Sequence, residues 1–517
     1  MQTAAIMLGK LVALGVTFAM PLFLTRFLTK YEFGVFSQFY VLINFCTIFF
    51  SLGIQSNLYF FYPKASEKER KSLVVHTLMI LILFSLIAIG LLNVPLIGSY
   101  IFGKGDLINY RAFISFGILF LLPLIIIEPI YVAKADNLTS VIYPPLEVVL
   151  RLVFVVGLAL LWHSLNVVML GIVLAGLTCF LFMLIYTLKG INFWNFKEII
   201  NIPLAKKQLK YSWPFGLALV LNTLALQFDK LISIKFLAPT AFATYSIVFY
   251  GIPGVRQLYS SLSQVYLIKM AEKYHENKPN EISKIYKSLV TKTYSFSLPA
   301  IAIVSLYAER IIRLFFTEKY VDAVPLFRVY IMIFLIYMLG AGLILRATDK
   351  TIYSLKAYFF SGLVTLPFTY FMIKYNGIWG GLISAMVSII IPKAIQLHIE
   401  MKQVKSNIFK YFPWKKFFYI AIIAIISLVP FIIIEYFFDY GDFITIFLAA
   451  LYLIIVSLVE IKFKLFVFEI DSIGSLFITI AEKLGFGNKS DNRTEVSVVI
   501  SQSEANIDRG TSNDPRS

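Results

Sequence analysis

Charge is the first scarcity. Only 15% of the 517 residues are charged, against roughly a quarter in soluble domains. A sizeable soluble domain is excluded. Cysteine is nearly absent: Cys46 and Cys179 are the only two, and both sit inside apolar runs, so no disulfide framework is available. The four histidines, His76, His163, His275 and His398, are scattered. There is no H-E-x-x-H and no Cys/His cluster, which removes the common zinc chemistries. The nearest approach to a phosphate-binding loop is "GSYIFGKG" at 98–105. Gly105 stands where the Mg²⁺-binding hydroxyl belongs, and no strand precedes the stretch, so it is not a P-loop. Without a nucleotide domain, nucleotide-driven work requires another subunit.

What is present is apolar. Hydrophobic residues make up 59% of the chain and the mean hydropathy is +0.81. Apolar runs of about 20 residues recur, each long enough to cross a ~30 Å hydrocarbon core as a helix. They do not alternate as barrel strands do. The pattern predicts an all-α polytopic membrane protein of about 14 spans, the first over 4–28, the seventh over 212–237 and the last over 443–467. The first run is too long for a signal-peptide core and has no small-residue cleavage site after it. Joins after even-numbered spans are basic, as in "PKASEKERK" at 63–71 and "KQVKSNIFKYFPWKK" at 402–416. Joins after odd spans carry few cations. The positive-inside rule therefore predicts both termini in the cytoplasm. The net charge of +17 reflects this asymmetry and attraction to anionic lipid. Cations scattered through membrane loops do not form a nucleic-acid surface. Asp471–Phe486 reads as an amphipathic helix lying on the membrane, and the polar chain from Gly487 as disordered.

The chain repeats itself. "RFLTKYEFGVFSQFY" from Arg26 aligns with "KFLAPTAFATYSIVFY" from Lys235, pairing Phe33 with Phe242 and Ser37 with Ser246. "KSLV" at 71–74 recurs at 287–290, "YIFGK" at 100–104 is echoed by "LFFTEK" at 314–319, and "KADN" at 134–137 by "ATDK" at 347–350. The expected division is an N-terminal lobe over 1–200, a C-terminal lobe over 201–401, two further spans over 402–468, and an amphipathic segment and cytoplasmic tail over 469–517. Each lobe holds an even number of spans, so the repeat is parallel, about an axis along the membrane normal. Two such lobes enclose a central cavity that rocking opens to alternate sides.

These residues resemble a known family. "LGKLVALGVTFAMPLFLTRFLTKYEFGVFS", then "SLGIQSNLYFF", then "YSWPFGLALVLNTLALQFDKLIS" at 211–233 are similar to the Wzx-type oligosaccharide-lipid flippases of the MOP superfamily. The resemblance spans residues 1–400. It implies a two-lobed transporter that moves undecaprenyl-diphosphate-linked oligosaccharide from the cytoplasmic to the outer leaflet. It also implies a cationic cavity, coupling to a proton or sodium gradient, no other cofactor, and work beside the glycan polymerase and glycosyltransferases of one pathway. Many relatives carry an arginine near the end of the second span. Here Leu58-Tyr59-Phe60-Phe61-Tyr62 stands there, which favours stacking on sugar rings over phosphate contact.

A charge at the bilayer centre costs about 3 kcal/mol on insertion scales, so each one needs a reason. Arg256 lies midway along the eighth span beside Gly251, Pro253 and Gly254. It is expected to hold the diphosphate bidentately, or else to pair with Asp229. Arg26 and Lys235 occupy equivalent span ends, where they contact substrate or snorkel to the interface. Asp229 and Glu128 are the carboxylates expected to carry a coupling cation. Glu147 and Arg151, one helical turn apart, are expected to pair. Lys10, Arg328, Lys393 and Glu460 are expected to snorkel. Two other functions stay open: a drug/cation antiporter of the same superfamily, which requires a carboxylate-dominated cavity, and a membrane glycan polymerase or ligase, which requires a large outer loop.

Overall fold

The computed structural model describes residues 15, 19–102, 106–188, 201–252, 255–276, 278–348, 350–404, 408–438, 440–463 and 465. Lys10, Pro253, Gly254 and the expected amphipathic segment and tail lie outside them. The protein is an all-α polytopic membrane protein, with no strand among the described residues. The main helices are α1 (19–27), α2 (Lys30–Ser51), α3 (Glu67–Asn93), α4 (Arg111–Leu121, continued by Pro123–Ile126 and Ile127–Ala133), α5 (Asn137–Trp162) and α6 (Leu165–Leu188). The second set is α7 (Ile202–Phe236), α8 in two pieces (Pro239–Val248 and Val255–His275), α9 (Pro279–Leu306) and α10 (Val324–Ile331, continued by Ile333–Tyr337). Thr351–Gln403 is two helices, α11 and α12, joined at Gly377, whose φ of +55° only glycine adopts freely. Trp414–Phe437 is α13 and Asp442–Lys462 is α14.

Local sequence explains the starts of these helices. Thr29 and Glu32 form a reciprocal capping box on α2, and Ser66 and Glu69 form one on α3; each is the S/T-x-x-E pattern that satisfies two orphan amides. Asp136 caps α5 and Asn201 caps α7 through side-chain oxygens. Ten helices are long and apolar enough to cross a membrane, with Ile352–Gln403 counted as one. α7 carries Lys206, Lys207, Lys210, Asp229, Lys230 and Lys235, and α8 carries Arg256, Lys269, Glu272 and Lys273.

The two sets of helices meet at the repeated join. α2 runs against the first piece of α8, and Ser246 Oγ donates to Ser37 Oγ at 3.3 Å. These serines are the pair that the sequence repeat aligned. A methyl group on Gly34 would overlap the backbone carbonyl of Pro239; glycine is what allows this approach. Lys30 Nζ binds the Asp322 carboxylate at 2.6 Å, and Thr244 Oγ1 donates to the same carboxylate. α13 and α14 are held to the C-terminal lobe by Arg310, which binds Glu435 at 2.8 Å and the Tyr440 carbonyl at 2.7 Å. Glu460 of α14, expected to snorkel, is instead 1% exposed, buried with Thr445, Tyr452 and Val456 of the same helix.

Candidate functional site

The site begins at the break in α8. The helix stops at Val248 and restarts at Val255, with Gly251 at φ +59° beneath Phe334 and Tyr330. Arg256 therefore sits in the first turn of the second piece and is exposed. Its guanidinium lies 5.8 Å from the Tyr337 ring centre, and among the described residues no carboxylate is within ion-pair distance. A helix start already carries partial positive charge, so a cation there opposes the dipole by roughly 0.3–1 kcal/mol and reinforces attraction for an anion.

Two more cations lie near Tyr337. Lys393 Nζ of α12 lies 5.0 Å from the same ring; it is half-buried, where snorkelling was expected. Arg346, in the short helix Leu343–Ala347, lines a cavity of about 440 Å³ together with Tyr259, Ser260, Ser263, Tyr337 and Gln396. No carboxylate lines it among the described residues. Glu400 is close by but engaged: it accepts from the backbone N–H of Ile344 at 2.8 Å and of Leu345 at 3.2 Å, and from the Tyr411 hydroxyl at 3.3 Å. It holds the Arg346 helix in place and is also near enough to Lys393 to attract its charge.

Asp229 does not pair with Arg256. It is buried on α7, accepts from the Tyr245 hydroxyl at 2.7 Å, and has Lys230 Nζ at 3.7 Å. Lys230 faces a cavity of about 190 Å³ between the lobes, beside Ser37, Tyr40 and Ser246. Glu128 lines a different cavity, of about 260 Å³ inside the N-terminal lobe, with Asn44, Thr47, Tyr131, Glu147 and Arg151. The expected Glu147–Arg151 pair is there at 2.7 Å, and Arg151 also donates to the Tyr40 hydroxyl at 3.1 Å. Tyr40 thus borders both cavities.

Arg26 and Lys235 make crossed contacts between the lobes. Arg26 Nη2 donates to the Leu314 carbonyl at 2.8 Å, at the C-terminal end of Ala308–Phe316. Lys235 Nζ sits 3.1 Å from the Tyr100 ring centre, at the end of Pro95–Ile101. The aligned cations reach the aligned segments of opposite lobes. Lys319 strengthens the contact by donating to the Leu28 carbonyl at 3.2 Å. In the aromatic stretch after the second span, Phe60 stacks on Tyr211 at 4.8 Å, with Lys64 over its ring at 4.2 Å.

In sequence, Arg346 carries no expected role and Lys393 is expected only to snorkel. Arg346 reads as one more cation of a basic join, and Lys393 as one near a span end. The usable signal was Lys393 directly after Pro392, deep inside an apolar run.

The broken, charged helix α8 thus borders an arginine-lined cavity inside the C-terminal lobe. The sequence pattern of the polysaccharide biosynthesis protein family matches residues 23–325, and the chain belongs to that family. No curated protein matches the sequence significantly. Among solved structures, the chain is similar to the lipid II flippase MurJ in an inward closed conformation, with a TM-score of 0.68, 15% identity, and coverage of 89% of this chain and 98% of that one. It is also similar to an inward-facing multidrug resistance MATE family transporter of the MOP superfamily (TM-score 0.54, 16% identity, 78% of this chain, 95% of that one). A third is a MOP superfamily transporter from Pyrococcus furiosus, described as having a binding pocket of reversed polarity (TM-score 0.51, 15% identity, 78% and 94%). The shared fold is that of two-lobed membrane transporters.

Proposed function

We propose that this protein is a flippase of the cytoplasmic membrane that translocates polyprenyl-diphosphate-linked oligosaccharide by alternating access. The observation that carries the reading is a group of cations near Tyr337: Arg256 and Lys393 lie 5.8 and 5.0 Å from its ring centre, and Arg346 lines with it a cavity that no carboxylate lines among the described residues. A diphosphate supplies the missing countercharge, and guanidinium forks match its oxygens. Tyr259, Tyr337 and Tyr358 offer faces for sugar rings. A cationic drug would be repelled from such a cavity, which counts against antiport of cations. The basic joins place the termini in the cytoplasm, so Arg26, Lys30 and Lys319 close the outer end. Asp229 and Glu128 are the groups through which a proton or sodium gradient acts, one on α7 and one in the N-terminal lobe. The substrate comes from glycosyltransferases on the cytoplasmic side and passes to a glycan polymerase outside.

The test uses proteoliposomes loaded with a fluorescent polyprenyl-diphosphate oligosaccharide, with a lectin reporting its appearance on the far leaflet. Arg256→Ala and Arg346→Ala are each expected to slow transfer by roughly tenfold or more, since a hydrogen bond to a charged group contributes about 1.5–3 kcal/mol. Transfer at the wild-type rate in both variants would overturn the reading.

A further inference from the structure

Both lobes hold α7. The expected division gives it to the C-terminal lobe, and its second half lies there: Asp229 accepts from Tyr245, and Phe236 packs edge-on against Tyr370 at 5.4 Å. Its first half is tied to the N-terminal lobe instead. The backbone N–H of Asn201, the N-cap, donates to His76 Nε2 of α3 at 3.1 Å. Further along, Gln208 is wholly buried. Its Nε2 donates to Asn57 Oδ1 at 2.8 Å, to Thr77 Oγ1 at 3.0 Å and to the Leu73 carbonyl at 3.1 Å. Asn57 and Thr77 are fully buried too. At Gly216 a Cβ would fall 2.0 Å from the Leu52 carbonyl oxygen, so glycine is what allows that approach. The order Asn201, Gln208, Ser212, Gly216 follows helical spacing, which puts these residues on one stripe of α7.

The partners of this stripe flank the basic join at 63–71, which the positive-inside rule assigns to the cytoplasm. The opposite end is closed by Arg26, Lys30 and Lys319. Both ends are therefore shut, by different chemistry: cations at the outer end, neutral amides and a hydroxyl at the inner. A side-chain amide offers two donor hydrogens and a carbonyl acceptor. Gln208 shares its hydrogens among three acceptors, while its buried Oε1 has no partner among the described residues. A buried acceptor left unpaired weakens the closed form, and water meets it once the stripe parts. Parting also separates the Phe60–Tyr211 stack, whose rings are already exposed in large part. Such a contact seals the end and still releases it at modest cost.

We propose that Gln208 is the latch of an inner gate: its bonds to Asn57 and Thr77 close the cytoplasmic end between α7 and the N-terminal lobe, and they break each time that end opens. The proposal rests on the alternating-access reading above, and the test separates the two. Ser212 follows Gln208 on the same stripe, is buried, and has a hydroxyl with no partner among the described residues. A cysteine there reports opening without removing any bond of the latch.

Full-length Ser212→Cys protein in inside-out membrane vesicles is treated with a membrane-impermeant maleimide, and the labelled positions are read by mass spectrometry. The native Cys46 and Cys179 are buried and report on folding. Gln208→Leu and Asn57→Ala are each expected to speed labelling at position 212 by roughly tenfold, because each leaves a buried polar group unpaired in the closed form only. Cys46 and Cys179 should stay unlabelled. Labelling at 212 that is unchanged in both variants overturns the latch and makes the first half of α7 a fixed part of the N-terminal lobe. A rise that comes only together with labelling of Cys46 and Cys179 overturns it too, since it marks unfolding. The outer end is then locked by oxidising Ser37→Cys/Ser246→Cys, at hydroxyls 3.3 Å apart. The inner end is expected to open while the outer is shut, so labelling at 212 should continue at least as fast. If locking abolishes labelling that still depends on Gln208, alternating access falls and the latch stands.

Discussion

A single charged side chain has two fates in this fold, and Asp136 and Arg256 show both. Asp136 is placed where the helix dipole favours it, at the N-cap of α5. Its carboxylate accepts from the Thr139 backbone N–H at 3.1 Å, the Thr139 hydroxyl at 2.7 Å and the Tyr186 hydroxyl at 2.8 Å. Burial pushes its pKa up, but those donors outweigh it and hold the group below the ordinary carboxylate value. A carboxylate with a depressed folded pKa contributes stability that is present above its unfolded pKa and lost as pH falls through its folded pKa. Asp136→Ala is therefore expected to cost about 1 kcal/mol at pH 7. The gap from wild type should begin to narrow below about pH 4, where the unfolded carboxyl protonates, and close as pH falls through the lower folded pKa. Thermal unfolding in detergent at the two pH values measures it; an equal gap at both would show that the charge contributes nothing. Arg256 is the reverse case, a cation at a helix start with no carboxylate partner. The helix dipole disfavours it there, and the diphosphate of the proposed substrate is the countercharge it would receive.

At the scale of elements, the breaks carry as much information as the helices. Apolar periodicity and length were enough to find the spans, because a membrane crossing imposes both. The helix starts were also legible, since Thr29/Glu32 and Ser66/Glu69 are local patterns. The break in α8 was legible too, from Gly251 beside Arg256. The cavity was not. Arg256, Arg346 and Lys393 are brought together by three different helices, and single-residue environment says nothing about which distant helices will meet. Glu460 fails for the same reason: its burial depends on how α14 packs, which no local pattern encodes. That packing combines an apolar cluster of Ile303, Tyr307, Phe431, Leu448 and Tyr452 with a polar one. Arg310 ties Ala308–Phe316 to Glu435 and to the Tyr440 carbonyl, and its guanidinium lies over the Tyr440 ring at 4.3 Å. Arg310→Ala is expected to raise hydrogen exchange in 414–462 while leaving α2 to α6 unchanged. Exchange that rises equally throughout would mean that Arg310 supports the whole fold rather than this one attachment.

At the scale of the whole molecule, the repeat is a mechanical statement. Two copies of one join face each other across the pseudo-axis, with Ser37 and Ser246 in direct contact and Arg26 and Lys235 reaching crosswise. Gly34 lets the helices approach until α2 meets the Pro239 carbonyl. The interface also buries aromatic surface, with Phe33 edge-on to Tyr320 at 5.7 Å, so parting this end must expose apolar area as well as break the ion pair. If transport proceeds by rocking the lobes, this end must open once per cycle. The double variant Ser37→Cys/Ser246→Cys tests that requirement. Its sulfur atoms would take the places of hydroxyls 3.3 Å apart, and the native cysteines, Cys46 and Cys179, are buried. Oxidation is expected to form the bridge and stop transfer in the lectin assay, and reduction to restore it. The single variants, oxidised in parallel, should retain transfer. A bridged double variant that still transfers at the wild-type rate would mean that the substrate crosses without the lobes parting at this end, and the alternating-access reading would have to give way to a fixed path along one lobe.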